Sequence, residues 1–264
     1  MKNQINLLLI SIILSCGTST GDNTDIVNEK QNPEIMGENR NSATDSIIIQ
    51  EKKKFLTGRY DPKLHPEFDI LDNIYHTKPE MYLHKGTINA FINMREKAEK
   101  DGISLTIVSG TRNFYSQQSI WERKYVQNKN EGLTDQENIR KIMLWSSMPS
   151  TSRHHWGTDI DINGFDTYFD GTNEKANKEY EWLQNNAHKF GFCQVYSEKK
   201  EGGRTTGYNE EKWHWSYMPI ANQLLEDYKK LITYSDIKDF SAAELAKELN
   251  IIEEYVLGIS TTCK

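Results

Sequence analysis

From Phe55 onward the chain alternates between two hydrophobic periods. Ile88, Phe91, Ile92 and Ala98 recur at helical spacing and Gly102 follows them, which predicts a helix from about Thr87 to Lys100. The period then drops to two. Ile103, Leu105 and Ile107 alternate along a predicted strand that delivers Ser109-Gly110-Thr111-Arg112 at its C-terminal end, where loops commonly carry function. Two further helices are predicted at about 116–129 and 135–146, the second opened by Thr134-Asp135-Gln136-Glu137, a capping box in form. A helix at about 176–190 places Tyr180, Leu183, Ala187 and Phe190 on one face and stops at Gly191, before a strand over Phe192 to Tyr196. Leu224, Leu225, Tyr228, Leu231 and Ile232 give another helical stripe, and Ser241-Ala242-Ala243-Glu244 is the predicted start of a last helix to about Val256. Helices and strands mixed in this way predict an α+β fold.

Upstream of Phe55 the pattern changes. Residues 17–54 are rich in Asn, Asp, Glu, Ser and Thr and cannot bury enough surface to fold alone, so 16–54 is expected to be a flexible stalk. Residues 1–15 read as a signal peptide: a lysine, an apolar run from Ile5 to Leu14, then a small residue. Ile13-Leu14-Ser15-Cys16 resembles a bacterial lipobox, which makes Cys16 the expected lipidation site and the bacterial cell envelope, outside the cytoplasm, the expected location. The remaining organisation is a globular domain at 55–234 and a C-terminal helical extension at 235–264. Composition supports one globular domain with tails: 264 residues, 36% hydrophobic and 11% aromatic. The net charge is -6 and basic residues are scattered, so no nucleic-acid partner is expected, and a monomer is. Cys193 and Cys263 either pair as a disulfide or leave Cys193 as a buried thiol.

Two segments carry the chemistry: Ser152-Arg153-His154-His155-Trp156-Gly157-Thr158-Asp159-Ile160-Asp161 and Glu211-Lys212-Trp213-His214-Trp215. Two imidazoles and a carboxylate leave a fourth zinc position open for water, and a further carboxylate can take that water's proton. Asp159-Ile160-Asp161-Ile162 alternates as a half-buried strand, so either aspartate can face a metal. The same ambiguity holds for His154 and His155, with Gly157 predicting a tight turn beside them. Trp213, Trp215 and Tyr217 alternate with His214, and in a regular strand Glu211 would lie on the opposite face from His214. For both to reach one metal the chain must bend, and an irregularity is predicted near Lys212. Taken singly, each segment is also what an ordinary core or surface offers.

Taken together they resemble the zinc D-alanyl-D-alanine carboxypeptidases and dipeptidases of the VanY and VanX type. That pattern, Ser-x-His-x-x-Gly-x-x-x-Asp followed by Glu-x-x-His, is met by Ser152, His154, Gly157, Asp161, Glu211 and His214. An upstream Ser-Gly-x-Arg followed by a glutamine is met by Ser109, Gly110, Arg112 and Gln117, and Gly191-Phe192 is similar too. The resemblance spans roughly Tyr82 to Pro219. It implies a small central antiparallel sheet carrying the zinc site between flanking helices. It also implies His154, Asp161 and His214 as Zn2+ ligands, Glu211 as base, Arg112 for carbonyl polarisation and substrate binding, and Ser109, Gln117 and Ser152 at the substrate. The implied activity is removal of the terminal D-alanine from peptidoglycan stem peptides. The alternatives are an L,D-carboxypeptidase acting on tetrapeptide stems and a non-catalytic peptidoglycan-binding lipoprotein. Arg153, where VanY-type members often carry an acidic residue, and Asp159 depart from the pattern beside the metal.

Overall fold

A computed structural model describes residues 33–200 and 203–263, with side chains from Thr44 onward. The expected signal peptide and Cys16 lie outside the described residues. The chain divides into a short unit, Met1–Ala43, and a compact one, Thr44–Lys264. Helix α1 (Pro33–Leu56) begins in the first and ends in the second. The segment expected to be a flexible stalk as far as Lys54 is therefore helical from Pro33. The end of α1 is held by tertiary contacts that local polarity does not reveal: Lys52 pairs with Asp227 at 2.6 Å, Lys53 with Asp236 at 2.9 Å, and Leu56 is fully buried.

The centre of the compact unit is a four-stranded antiparallel sheet in the order β3-β4-β6-β5, made of β3 (Ile107–Ser109), β4 (Asp159–Ile162), β5 (Phe192–Cys193) and β6 (His214–Tyr217). A small antiparallel pair, β1 (Phe68–Ile70) and β2 (Tyr82–His84), stands apart from it. The α+β architecture with a small antiparallel sheet between helices is thus what the chain adopts. Helices α2 (Lys85–Lys100), α3 (Phe114–Asn130), α4 (Asp135–Ile142), α5 (Glu174–Asn186) and α6 (Met218–Leu231) match the periodic segments. Local chemistry sets their ends. Thr134 and Glu137 close a reciprocal capping box on α4, and Gly191 takes the left-handed φ of 82° after the turn that follows α5. The predicted strands shorten to Ile107–Ser109 and Phe192–Cys193.

One face of the sheet is apolar. Ile160 and Ile162 are completely buried with Phe91, Leu183, Phe192 and Trp215. Side chains of this size stabilise by roughly 1.5–3 kcal/mol each on full burial, so β4 is anchored from beneath. The other face carries polar residues: in β4 and β6, Asp159 stands opposite Ser216 and Asp161 opposite His214.

The predicted continuous helix after Ser241 does not form. The segment folds instead as short turns over Ala243–Ala246 and Ile252–Val256, with positive φ at Asp239, Ala242 and Asn250. The cap is diverted: Ser241 gives its backbone N–H and its hydroxyl to the two oxygens of Glu122, at 2.8 and 2.6 Å. Ile237, Ile251, Ile252, Val256 and Ile259 are buried in the same cluster as Leu56, Trp121, Trp156 and Tyr228. Cys193 and Cys263 form a disulfide across a separation of 70 residues, tying this segment to β5. Closing a loop of that length stabilises by about 4.4 kcal/mol in the chain-entropy model. Replacing Cys263 with alanine is therefore expected to lower Tm by roughly 10 °C in calorimetry under oxidising conditions. A Tm unchanged by the substitution contradicts the pairing.

Candidate metal centre

The pairing of β4 with β6 puts Asp161 and His214 side by side, because directly opposed residues of an antiparallel pair project to the same face. His154 arrives from a short 3-10 turn, Arg153–Trp156, that ends at Gly157 in the left-handed region at φ 68°. A Cβ at Gly157 would stand 2.3 Å from the Phe68 ring and 2.9 Å from the His84 amide nitrogen, so space as well as φ demands glycine. Glu211 comes from the predicted irregularity. The chain turns over Lys212 and Trp213, with the His214 amide donating to the Glu211 carbonyl at 3.2 Å, which swings Glu211 onto the His214 side.

Ligand atoms of His154, Asp161 and His214 all lie within 4.8 Å of one another, and all three residues are buried. His154 Nε2 is 3.4 Å from Asp161 Oδ2, and His214 Nδ1 is 3.2 Å from Asp161 Oδ1. Two atoms about 2.0–2.1 Å from one tetrahedral ion stand about 3.3–3.4 Å apart, so the separations suit a shared metal. His154 Nε2 and Asp161 Oδ1 are buried without a hydrogen-bond partner, a costly state unless a ligand completes them. The cavity that His154, His214 and Glu211 line holds about 20 Å3, room for about one small ion or water. The residues fit a divalent metal.

Each imidazole is aimed by its outer nitrogen. His154 Nδ1 donates to the Gly110 carbonyl at 2.9 Å, leaving the Nε2 lone pair inward. His214 Nε2 donates to Asp159 Oδ2 at 2.8 Å, leaving Nδ1 inward. Asp159 is itself saturated: Arg153 Nε donates to it at 2.9 Å, and the hydroxyls of Ser216 and Thr158 each donate at 2.8 Å. Burial alone would raise its carboxyl, but Arg153 and then His214 more than reverse this and hold it well below the usual range. Arg153 is fixed in turn by Ser216 Oγ at 2.6 Å and by the Trp156 ring beneath its guanidinium at 4.8 Å. His155 points elsewhere. Its Nδ1 donates to the Arg112 carbonyl at 2.6 Å, and burial pushes its pKa down to about 3, so it is neutral and structural.

Glu211 Oε2 lies 3.5 Å from His214 Nδ1. Burial lifts its carboxyl to about 8, His214 opposing and Asp161 reinforcing the shift. Of the residues singled out in the sequence, Arg112, Ser152, His154, Glu211 and His214 line the cavity. Ser152 Oγ and Arg153 Nη1 are buried donors there without partners. Ser109 lines a neighbouring groove of about 630 Å3 that Arg112 shares. Gln117 does not line the cavity, but its Nε2 donates to the carbonyl of Ser147, which does. Trp145, Tyr196 and Tyr208 also line the cavity, Tyr196 with its ring 4.6 Å from that of His214. Only the alternation of the Phe192–Tyr196 segment hinted at Tyr196, and nothing in the sequence pointed to the other two.

If Asp159 selects the inward nitrogen of His214, Asp159→Asn weakens divalent-metal affinity about 10–100-fold, measured by competition with a chromophoric chelator. An affinity equal to that of the unsubstituted chain contradicts the assignment.

Residues 80–220 match the family model described as VanY, D-alanyl-D-alanine carboxypeptidase. The D-alanyl-D-alanine carboxypeptidase of Enterococcus faecalis is 33% identical over 125 residues, covering 47% of this chain and 44% of the relative. The putative carboxypeptidase YodJ of Bacillus subtilis is 29% identical over 174 residues, 65% of this chain and 59% of its own. The chain thus spans about half the length of these relatives. Among solved structures, VanYB in complex with D-alanine-D-alanine is similar at 25% identity and a TM-score of 0.47, with 71% of this chain and 90% of that one covered. The matched segment contains Ser109, Arg112, Gln117, Ser152, His154, Asp161, Glu211 and His214, and it is more than half of the sequence. The chain belongs to the VanY D-alanyl-D-alanine carboxypeptidase family.

Proposed function

We propose that this chain is a zinc-dependent carboxypeptidase that hydrolyses the terminal D-alanine from peptidoglycan stem peptides. The observation that carries the reading is Glu211, placed 3.5 Å from His214 yet outside the His154, Asp161 and His214 ligand group. Holding a metal needs only the ligands, whereas hydrolysis needs a base as well. Two imidazoles and one carboxylate with an open fourth position suit zinc, which when bound supplies a Lewis acid that lowers the pKa of water and polarises a carbonyl. Glu211 takes the proton of the attacking water. Having taken that proton, Glu211 can deliver it to the leaving amine. Arg112, at the junction of the cavity and the larger groove, brings positive charge to the substrate's carbonyl and carboxylate oxygens. Ser152 lines the same cavity and offers a buried hydroxyl without a partner among the described residues.

The same reading puts the enzyme at the bacterial cell envelope, tethered by a lipid on Cys16. The apolar run that ends at Ser15-Cys16 supports this, as does the Cys193–Cys263 disulfide, a bond that persists in oxidising compartments.

Incubation of the zinc-loaded protein with stem pentapeptide and tetrapeptide, read by mass spectrometry, is expected to remove one alanine from the pentapeptide. Cleavage confined to the tetrapeptide identifies an L,D-carboxypeptidase instead, and no cleavage at stoichiometric zinc identifies a binding protein. Glu211→Ala is expected to lower kcat about 10²–10⁴-fold with zinc still bound at one ion per chain. Retained turnover in that variant contradicts the role of the base. Chelation of zinc abolishes turnover and lowers Tm, and excess zinc restores both.

A further inference from the structure

Two of the aromatic rings that wall the metal cavity are backed from outside it. Tyr196 has its ring 4.6 Å from that of His214, Tyr208 has its ring 4.9 Å from that of Tyr196, and both line the cavity. Behind them stands Tyr255, whose ring lies 5.1 Å from that of Tyr208. Tyr255 is not among the residues that line the cavity, so its path to the metal ligand runs through the other two rings.

Tyr255 belongs to residues 250–263, beyond the 80–220 segment that carries the catalytic residues. These residues lie across the loop that ends at Tyr208. A Cβ at Gly207 would stand 2.9 Å from the Gly258 carbonyl oxygen and 3.1 Å from that of Glu254, so the two backbones meet with no side chain between them. Thr261 approaches Gly203 as closely, its Oγ1 2.6 Å from the place a Cβ would take. The Ser260 amide donates to the Val195 carbonyl at 2.9 Å, and the carbonyl of the next residue, Tyr196, accepts from the Glu211 amide at 2.9 Å. Val256 and Ile259 are buried in one apolar cluster with Tyr196 and Tyr208, and the Cys193–Cys263 disulfide latches the far end of the segment to β5. The segment therefore bears on the backbone of the base and on the ring beside a metal ligand.

We infer that residues 250–263 form a strap that positions the reaction centre, with Tyr255 a positioning residue that acts through Tyr208 and Tyr196 on His214. A close-packed interior transmits displacement from ring to ring. Removal of the ring behind Tyr208 opens space into which Tyr208, and then Tyr196, can turn. A misplacement of about 1 Å at a reacting group costs up to about 10²-fold in rate. The kinetic half of this inference rests on the peptidase reading; the packing half does not.

Turnover of a stem pentapeptide is to be compared among the zinc-loaded full chain, Tyr255→Ala, Tyr255→Phe and the double variant Cys193→Ala/Cys263→Ala, at a temperature where calorimetry shows each one folded. Tyr255→Ala and the double variant are expected to lose about tenfold in kcat with KM changed by less than about twofold, whereas Tyr255→Phe, which keeps the ring, retains the kcat of the unsubstituted chain. A segment that only stabilises the fold would leave kcat intact under these conditions, and that result overturns the strap. Loss of kcat in Tyr255→Phe equal to that in Tyr255→Ala overturns it as well.

A second readout needs neither zinc nor turnover. Arg204, 2% exposed, donates to the carbonyls of Ser197, Thr206 and Tyr208 and so lies inside the strapped loop. Trypsin acting on the metal-free protein is expected to cut after Arg204 about fivefold faster or more in Tyr255→Ala and in the double variant than in the unsubstituted chain or Tyr255→Phe. Equal cleavage there in all four proteins contradicts the strap. If the unsubstituted chain cleaves no stem peptide, the peptidase reading falls and the trypsin result alone decides the strap.

Discussion

The hydrogen bond from His214 Nε2 to Asp159 Oδ2, 2.8 Å long, governs the geometry of the whole site. It decides which imidazole nitrogen faces the cavity, and so whether Asp161, opposite His214 in the sheet, can share an ion with it. An aspartate two residues before the ligand on the same strand projects to the same face, which is why one strand supplies both the metal ligand and the group that aims its partner. The apolar side of β4 holds this arrangement still: Ile160 and Ile162 are fully buried, so a one-residue slip would bury both carboxylates among hydrocarbon.

Burying Asp159 and Arg153 out of water is expensive, and removing either partner would strand the other as an uncompensated buried charge. The protein offsets that cost by completing the network, with Ser216, Thr158 and Trp156 contributing to one or the other group. Such a network does little for net stability. Its value lies in fixing orientation, because a fully satisfied set of polar groups has one arrangement. Among the buried atoms without a hydrogen-bond partner, His154 Nε2, Ser152 Oγ and Arg153 Nη1 belong to residues that line one cavity and Asp161 Oδ1 belongs to the ligand group beside it, where a metal and a substrate would complete them.

Much of this was legible in the sequence, for identifiable reasons. Helices α2 to α6 carry their apolar spacing and several of their caps locally, and the reversal at Lys212 follows from requiring Glu211 and His214 to meet one metal. The choices between His154 and His155, and between Asp159 and Asp161, are not local. Alternation treats the two aspartates alike, and only remote partners separate the members of each pair: Gly110 for His154, Arg112 for His155, Ser216 for Asp159 and His154 for Asp161. The last helix failed for the same reason, since the cap at Ser241 is taken by Glu122, 119 residues away. Trp145 and Tyr208 reach the cavity from segments whose periodicity speaks only of packing.

The central claim is that His154 Nε2, Asp161 and His214 Nδ1 form one metal site whose inward atoms are chosen by Gly110 and Asp159. Anomalous diffraction at the zinc edge from crystals of the zinc-loaded protein tests it most directly. The account predicts one ion about 2.0–2.2 Å from those three residues, with Glu211 beyond bonding distance. An ion held by His155 or Asp159, or by the Nε2 of His214, would contradict it.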